Sequence, residues 1–138
     1  MAAGKVKPTD PVLMSEHAWR TGGARTDGSY SGFEVNKTAP LEQMEKGMVV
    51  QSGNDAAIAL AEHVAGSEEA FASLMNSYAQ RIGMKNSNFA NATGLSAPGH
   101  LSSARDLALL TGIRPEYLDR QPHAFSGGQR QRIAHREI

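Results

Sequence analysis

Between residues 38 and 83, apolar side chains recur at helical spacing and each run is cut by a glycine. This constrains the fold more than any other feature. A helix with one apolar stripe must bury that stripe, so the pattern asks for short helices packed together. Thr38 is placed to cap a first helix with Pro40 in its first turn, Leu41 and Met44 facing inward and Gly47 as its stop. Met48-Val49-Val50 follows as a buried run. Asn54 or Ser52 caps a second helix, with Asp55 in the positive first turn. Its positions Ala57, Leu60, Ala61 and Val64 share one face, and Gly66 ends it. A third helix starts at Ser67 with Glu68 and Glu69 complementing the dipole. Phe71, Leu74, Met75, Tyr78 and Ile82 make its inward stripe, and Gly83 closes it.

Outside this span the pattern thins. Residues 84–101 read as a loop rich in Asn, Ser and Gly. A fourth helix begins at Ser102 or Ser103, with Asp106 completing a pair like a capping box and Leu107, Ala108 and Leu110 inward. Gly112 interrupts, Pro115 starts a short turn through Leu118, and a last helix runs from Ser126 to Arg136. In the first 37 residues Pro8, Pro11 and the Gly-bearing turns break regularity. Val12-Leu13-Met14 and Phe33-Glu34-Val35 are the strand-like pieces, able to pair as a hairpin. The expected fold is mainly α, a compact bundle of four or five short helices with an irregular N-terminal segment that has room for a small β-hairpin. Its parts are an irregular segment at 1–37, a helical core at 38–112 and a C-terminal turn and helix at 113–138, in one compact domain.

Composition narrows the function classes. The 138 residues carry 14 Lys+Arg and 14 Asp+Glu, so broad electrostatic capture of nucleic acid or anionic lipid is not expected. There is no cysteine, which excludes disulfides, thiolate metal sites and a Cys nucleophile. No apolar run approaches the length of a membrane span. His17, His63, His100, His123 and His135 are scattered, none in a His-x-x-x-His pair, so neither a metal nor a cofactor is expected. Charge is uneven along the chain: residues 38–69 hold one basic and six acidic groups. Glu42, Glu45 and Glu62 in this stretch are the candidates for docking a protein partner with a basic surface.

Ser52-Gly53-Asn54-Asp55 stands where an apolar run passes into a helix. By itself, helix capping explains it as well as a site does. The surrounding stretch Gly47-Met48-Val49-Val50-Gln51-Ser52-Gly53-Asn54-Asp55-Ala56 resembles the middle of the penicillin-binding D-alanyl-D-alanine carboxypeptidases. So, in the same order, do Ala65-Gly66-Ser67, Leu74-Met75-Asn76-Ser77-Tyr78, Gly94-Leu95 and Ser103-Ala104-Arg105-Asp106, within a likeness running from about residue 4 to 110. The resemblance implies a Ser-x-x-Lys serine that attacks a terminal D-Ala-D-Ala amide and forms an acyl-enzyme. It also implies a Ser-x-Asn triplet on the opposite wall and a Lys-Thr-Gly strand completing the site. Ser52 and Asn54 match the triplet, where the Ser helps proton transfer and the Asn holds substrate. No Ser-x-x-Lys occurs, and Lys37-Thr38 is followed by Ala39.

A second resemblance follows. Arg114-Pro115-Glu116-Tyr117-Leu118-Asp119-Arg120 and the stretch Pro122 to Ala134 are similar to the signature region of ABC-transporter ATPases, with Ser126, Gly127, Gly128 and Gln129 in the signature positions. That family binds ATP there at a helix start. This chain has no Gly-x-x-x-x-Gly-Lys-Ser/Thr loop, so no nucleotide binding is expected.

Two incomplete resemblances meeting near residues 110–113 give the expectation of a chimera, engineered or computationally generated. With only one wall of the acyl-transfer site present, it is expected to be non-catalytic, Ser52 and Asn54 vestigial, acting by binding a partner as an antitoxin or small inhibitor does. The alternative is a fragment of a serine-type D-alanyl-D-alanine carboxypeptidase acting on peptidoglycan peptides. The first residues show no export signal and place the chain in the cytoplasm, although the carboxypeptidase family is periplasmic.

Overall fold

The computed structural model describes residues 6–24, 26 and 28–112. Among the described residues, five helices and one small antiparallel sheet make a mainly α body. The elements are β1 (Pro11–Leu13), α1 (Glu16–Trp19), a π turn (Arg20–Ala24), β2 (Thr38–Pro40), α2 (Leu41–Val50), α3 (Asn54–Ala65), α4 (Glu68–Arg81) and α5 (Ala104–Leu110). The helix expected after Ser126 lies outside the described residues.

The sheet pairs Pro11 with Pro40, Val12 with Ala39 and Leu13 with Thr38. The hairpin expected between 12–14 and 33–35 is therefore corrected. Phe33-Glu34-Val35 is not a strand, and Thr38 extends along β1 instead of capping a helix. Pro40 gave the misleading signal: it ends a strand and, as the residue before Leu41, also opens α2, without any side-chain cap. The ladder continues past the strands, since the Met14 N–H donates to the Lys37 carbonyl at 2.9 Å and the Leu41 N–H to the Asp10 carbonyl at 2.9 Å. Residues 6–24 are also less irregular than their prolines imply. Ser15 caps α1 by accepting from the Ala18 N–H at 2.9 Å.

Helix α3 is the axis of the body, touching α1, the π turn, β1, α2 and α4. Val12, Met14, Ala18, Leu41, Met44, Ala56, Ile58 and Ala59 close one core around it, with Trp19, Phe33, Met48 and Leu60 packed on its edge. The buried face of α3 is Asp55, Ala56, Ile58, Ala59 and Ala61. It is rotated from the expected stripe, and Val64 is exposed.

Gly47 does not stop α2. It is buried within the helix, and a Cβ there would stand 2.8 Å from Phe33 Cε2 and 3.1 Å from Ser31 Cβ. The glycine serves close packing of the 31–33 segment, not termination. The helix runs on to Val50, and Val49 and Val50 are exposed where a buried run was expected.

Helix α4 begins as expected, with Ser67 Oγ accepting from the Ala70 N–H at 3.1 Å. It packs through Ala72 and Ala79, whose small size admits a close neighbour, leaving Leu74, Tyr78 and Ile82 exposed. The Arg81 guanidinium lies over the Tyr78 ring at 5.2 Å, so that face is partly covered by the helix's own cation. Ser103 caps α5 through the Asp106 N–H at 3.2 Å; Ala108 is buried, but Leu107 and Leu110 are exposed. Among the described residues no helix is long and apolar enough to cross a membrane.

Candidate active-site wall

The junction between α2 and α3 is built from two sides. After Val50 and Gln51 the chain turns at Ser52, which has φ 55°. That left-handed conformation is normally given to glycine at a helix end, and a Cβ in it costs on the order of 1 kcal/mol. Gly53 precedes α3 and Asn54 is its first residue, so neither Ser52 nor Asn54 caps the helix. The turn is pinned by backbone bonds: the Gly53 N–H donates to the Gly47 carbonyl at 3.2 Å, and the Asn54 N–H to the Ser29 carbonyl at 3.0 Å.

Beneath it lies Asp55, fully buried. One carboxylate oxygen accepts from the Ser31 N–H at 2.8 Å and the Ala56 N–H at 2.9 Å; the other accepts from the Ser31 hydroxyl at 2.7 Å. A buried carboxylate is tolerable because these donors satisfy it. Gly53 makes the approach of Ser31 possible, since a Cβ there would lie 2.8 Å from both Ser31 Cβ and Ser31 N. Segment 28–33 is thus tied to the start of α3. Sequence reading gave Asp55 only a dipole role; the clamp was missed because its partner is 24 residues away and a lone serine carries no local signal.

What the clamp holds up is polar and uncommitted. Among the described residues neither the Ser52 hydroxyl nor the Asn54 amide has a protein hydrogen-bond partner, while the buried polar side-chain atoms are all satisfied. Ser52 is exposed and Asn54 half-buried. Asn54 Nδ2 lies against Gly28, where an added Cβ would stand 2.8 Å from it. Gly28 in turn lines an open groove of about 600 Å³, together with Trp19, Thr26, Tyr30, Phe33 and Glu34. A hydroxyl can donate and accept, and a primary amide can do both at once, which is what a peptide backbone needs from a wall.

The other expected site residues are dispersed. Glu42 and Glu45 border one shallow groove on α2. Glu62 lies on α3 and does not line it. Ser126, Gly127, Gly128 and Gln129 lie outside the described residues. Among the described residues no group of three His, Asp or Glu could hold a metal ion.

The family model for D-alanyl-D-alanine carboxypeptidase, peptidase S11, matches residues 1–136. The chain belongs to this family. It is 46% identical over 111 residues to the D-alanyl-D-alanine carboxypeptidase DacC of Escherichia coli, an overlap of 80% of this chain and 28% of DacC. Its fold matches the crystal structure of the D-alanyl-D-alanine carboxypeptidase DacD from Francisella tularensis with a TM-score of 0.71 and 37% identity, over 90% of this chain and 28% of that one. The chain therefore spans little more than a quarter of these relatives. A stretch of 31 residues, 22% of the chain, is 81% identical to the probable D,D-dipeptide transport ATP-binding protein DdpF of Escherichia coli, covering 10% of that protein.

These findings correct the functional expectation. A non-catalytic, antitoxin-like binder is overturned, because the family and its structural neighbours are carboxypeptidases. The argument from missing Ser-x-x-Lys and Lys-Thr-Gly elements fails for a plain reason. A segment equal to 28% of a relative's length is not the place to look for every motif of the whole. The cytoplasmic placement rested on where the sequence starts, and neither comparison supports it; the family is periplasmic. The expectation of two joined resemblances holds only as far as the short stretch shared with DdpF; neither comparison speaks for an engineered origin.

Proposed function

We propose that this carboxypeptidase-family chain forms the helical, substrate-facing wall of a serine-type D-alanyl-D-alanine carboxypeptidase acting on peptidoglycan peptides outside the cytoplasmic membrane. One observation carries the reading: Ser52, held at φ 55°, and Asn54 present two polar groups with no hydrogen-bond partner among the described residues, above a fully satisfied buried clamp. Strain retained beside uncommitted polar atoms marks a functional position more often than a structural one.

Cleavage of a terminal D-Ala needs a nucleophile, a base and an oxyanion site. In this reading those come from the Ser-x-x-Lys and Lys-Thr-Gly elements of the complete fold. This chain contributes orientation and a proton route. The Asn54 amide accepts from and donates to the substrate's peptide backbone, fixing the scissile bond. The Ser52 hydroxyl passes a proton between the reacting centre and the leaving amine. The Asp55–Ser31 clamp touches no substrate and positions both.

The test is a covalent hybrid in which this chain replaces the matching 111 residues of DacC. The hybrid is expected to release D-Ala from a peptide ending in D-Ala-D-Ala, and Ser52→Ala to slow release about 100-fold or more. A folded hybrid without D-Ala release would refute the assignment.

A further inference from the structure

The turn that follows Phe89 is anchored by two imidazoles that want opposite protonation states. Asn91 closes residues 91–95 into one unit. Its amide nitrogen donates to the Leu95 carbonyl at 2.8 Å, and its amide oxygen accepts from the Gly94 N–H at 2.8 Å and the Thr93 hydroxyl at 3.2 Å. Two anchors set how this unit sits. The Ala90 N–H donates to His100 Nδ1 at 3.4 Å, and the His100 ring meets Phe89 edge to face at 5.9 Å. The Ala92 N–H donates to Glu68 Oε1 at 3.1 Å, while Glu68 Oε2 faces His17 Nε2 at 3.5 Å. A ring nitrogen accepts only when it carries no proton, so the first anchor needs a neutral His100. An imidazolium attracts a carboxylate more strongly than a neutral ring does, so the second is firmest with His17 charged. The Glu68 side chain is only 12% exposed, which leaves that attraction partly unscreened.

The other charged groups nearby leave both rings to these partners. Beside His17, Glu16 pairs with Arg20, and Thr21 Oγ1 lies 3.5 Å from His17 Nδ1. Glu69 also stands in the field of His17. The backbone N–H of Glu69 and the Ser67 hydroxyl hold its carboxyl below the ordinary glutamate value against the effect of burial, and His17 adds to them. Among the described residues, Asp55, Glu62 and His63 of α3 form no ion pair with His17, and Lys85, Arg105 and Asp106 form none with His100.

We infer that the 91–95 turn is a pH-responsive element, released at Ala90 and gripped at Ala92 as His100 and His17 take up protons. Both changes fall between about pH 5 and pH 8, where imidazoles change charge and carboxylates ordinarily do not. At the upper end of this range both anchors hold the turn. On acidification His100 Nδ1 becomes a donor, and the Ala90 N–H turns to water. The charged His17 then fixes Glu68, and the turn hangs from Ala92. Phe89 stays in place, because Asn76 binds both of its backbone groups and an amide does not titrate here. Leu95, 48% exposed, rides on the turn, so acid changes how an apolar side chain is presented. The inference stands apart from the carboxypeptidase reading, and no catalytic step depends on it.

The isotope-labelled 138-residue chain, followed by NMR from about pH 8 to about pH 5, tests this. Amide exchange is read at Phe89, Ala90 and Ala92, each rate divided by that of an unstructured chain at the same pH. On acidification Ala90 is expected to lose protection about threefold or more and Ala92 to gain about twofold, with Phe89 unchanged. His100→Asn keeps an acceptor near the Nδ1 position that does not titrate; it should abolish the Ala90 response and leave that of Ala92. His17→Gln should do the reverse. A Phe89 amide protected as in the parent shows that each variant keeps the fold, and the opposed responses of the parent are decisive without either variant. Parallel changes at Ala90 and Ala92, no change at either, or a response that survives the loss of its own histidine overturns the inference.

Discussion

Two helix starts in this molecule use the same device for different ends. At α3, Asp55 is buried and accepts from the N–H and hydroxyl of Ser31 in a distant segment. At α5, Asp106 is buried and accepts from the Asn86 N–H at 2.7 Å and the Ser87 hydroxyl at 2.8 Å. Each carboxylate fastens a loop to a first helical turn. Around Asp106 most of the polar side chains are spent on nearby side chains and backbone, the exposed Asn86 amide being an exception among the described residues. Ser87 meets Ser102 at 2.7 Å, Asn88 donates to the Gly99 carbonyl, and Asn91 holds its own turn. Asn76 pairs with both backbone groups of Phe89, donating to its carbonyl at 2.8 Å and accepting from its N–H at 2.7 Å. Around Asp55, Ser52 and Asn54 have no side-chain hydrogen-bond partner among the described residues. The lesson is that a buried carboxylate alone does not mark a site; the decisive difference is whether the polar groups above it have partners.

The largest break in this comparison comes from the first clamp. Asp55→Ala leaves the half-buried Ser31 N–H and hydroxyl and the buried Ala56 N–H without this acceptor, an expected loss of about 3 kcal/mol, read by urea unfolding of the chain. Next comes Asn76→Ala, which removes two hydrogen bonds to Phe89 and is expected to cost about 1–2 kcal/mol by the same measurement.

The second clamp is sharpened by pH. Burial pushes the Asp106 carboxyl up, but hydrogen bonds from the Ser87 hydroxyl, the Asn86 N–H, the Ser103 hydroxyl and the Lys85 N–H outweigh it and hold the carboxyl below the ordinary aspartate value. With the folded value depressed, the contribution is present above the unfolded aspartate pKa, about 4, and is lost as pH falls through the folded one. Melting temperatures measured as the pH is taken below about 4 are therefore expected to fall more steeply for the native chain than for Asp106→Asn. The smallest effect should be a gain. Ser52→Gly relieves the left-handed strain and is expected to add up to about 1 kcal/mol of stability, while removing the hydroxyl from the hybrid enzyme.

Local chemistry was the legible part of this fold. Ser67 and Ser103 read as caps because a hydroxyl before a helical run satisfies free N–H groups, and both do so. Gly66 and Gly83 read as ends and take positive φ. Contacts across the chain were not legible. Gly47 looked like a stop because nothing local reveals Phe33 against it. The α4 stripe looked like core throughout because periodicity names the apolar face without saying whether a neighbour meets it; Phe71 and Met75 are half-buried, Leu74, Tyr78 and Ile82 are exposed, and the fully buried positions are Ala72 and Ala79. Of the site, Ser52 and Asn54 could be found by motif, but the positive φ and the Ser31 clamp could not, since both are properties of the folded turn. The functional inference failed by treating motifs absent from a segment as absent from the enzyme.

The most direct test sets the two regions against each other in one assay. D-Ala release and melting temperature are measured for the DacC hybrid carrying either Asn54→Ala or Asn76→Ala. The account predicts that Asn54→Ala slows release by about 100-fold or more with little change in melting. Asn76→Ala should lower the melting temperature and leave the rate, measured well below it, near that of the parent. A hybrid that loses Asn54 and keeps its full rate would contradict the assignment of this junction as a substrate wall.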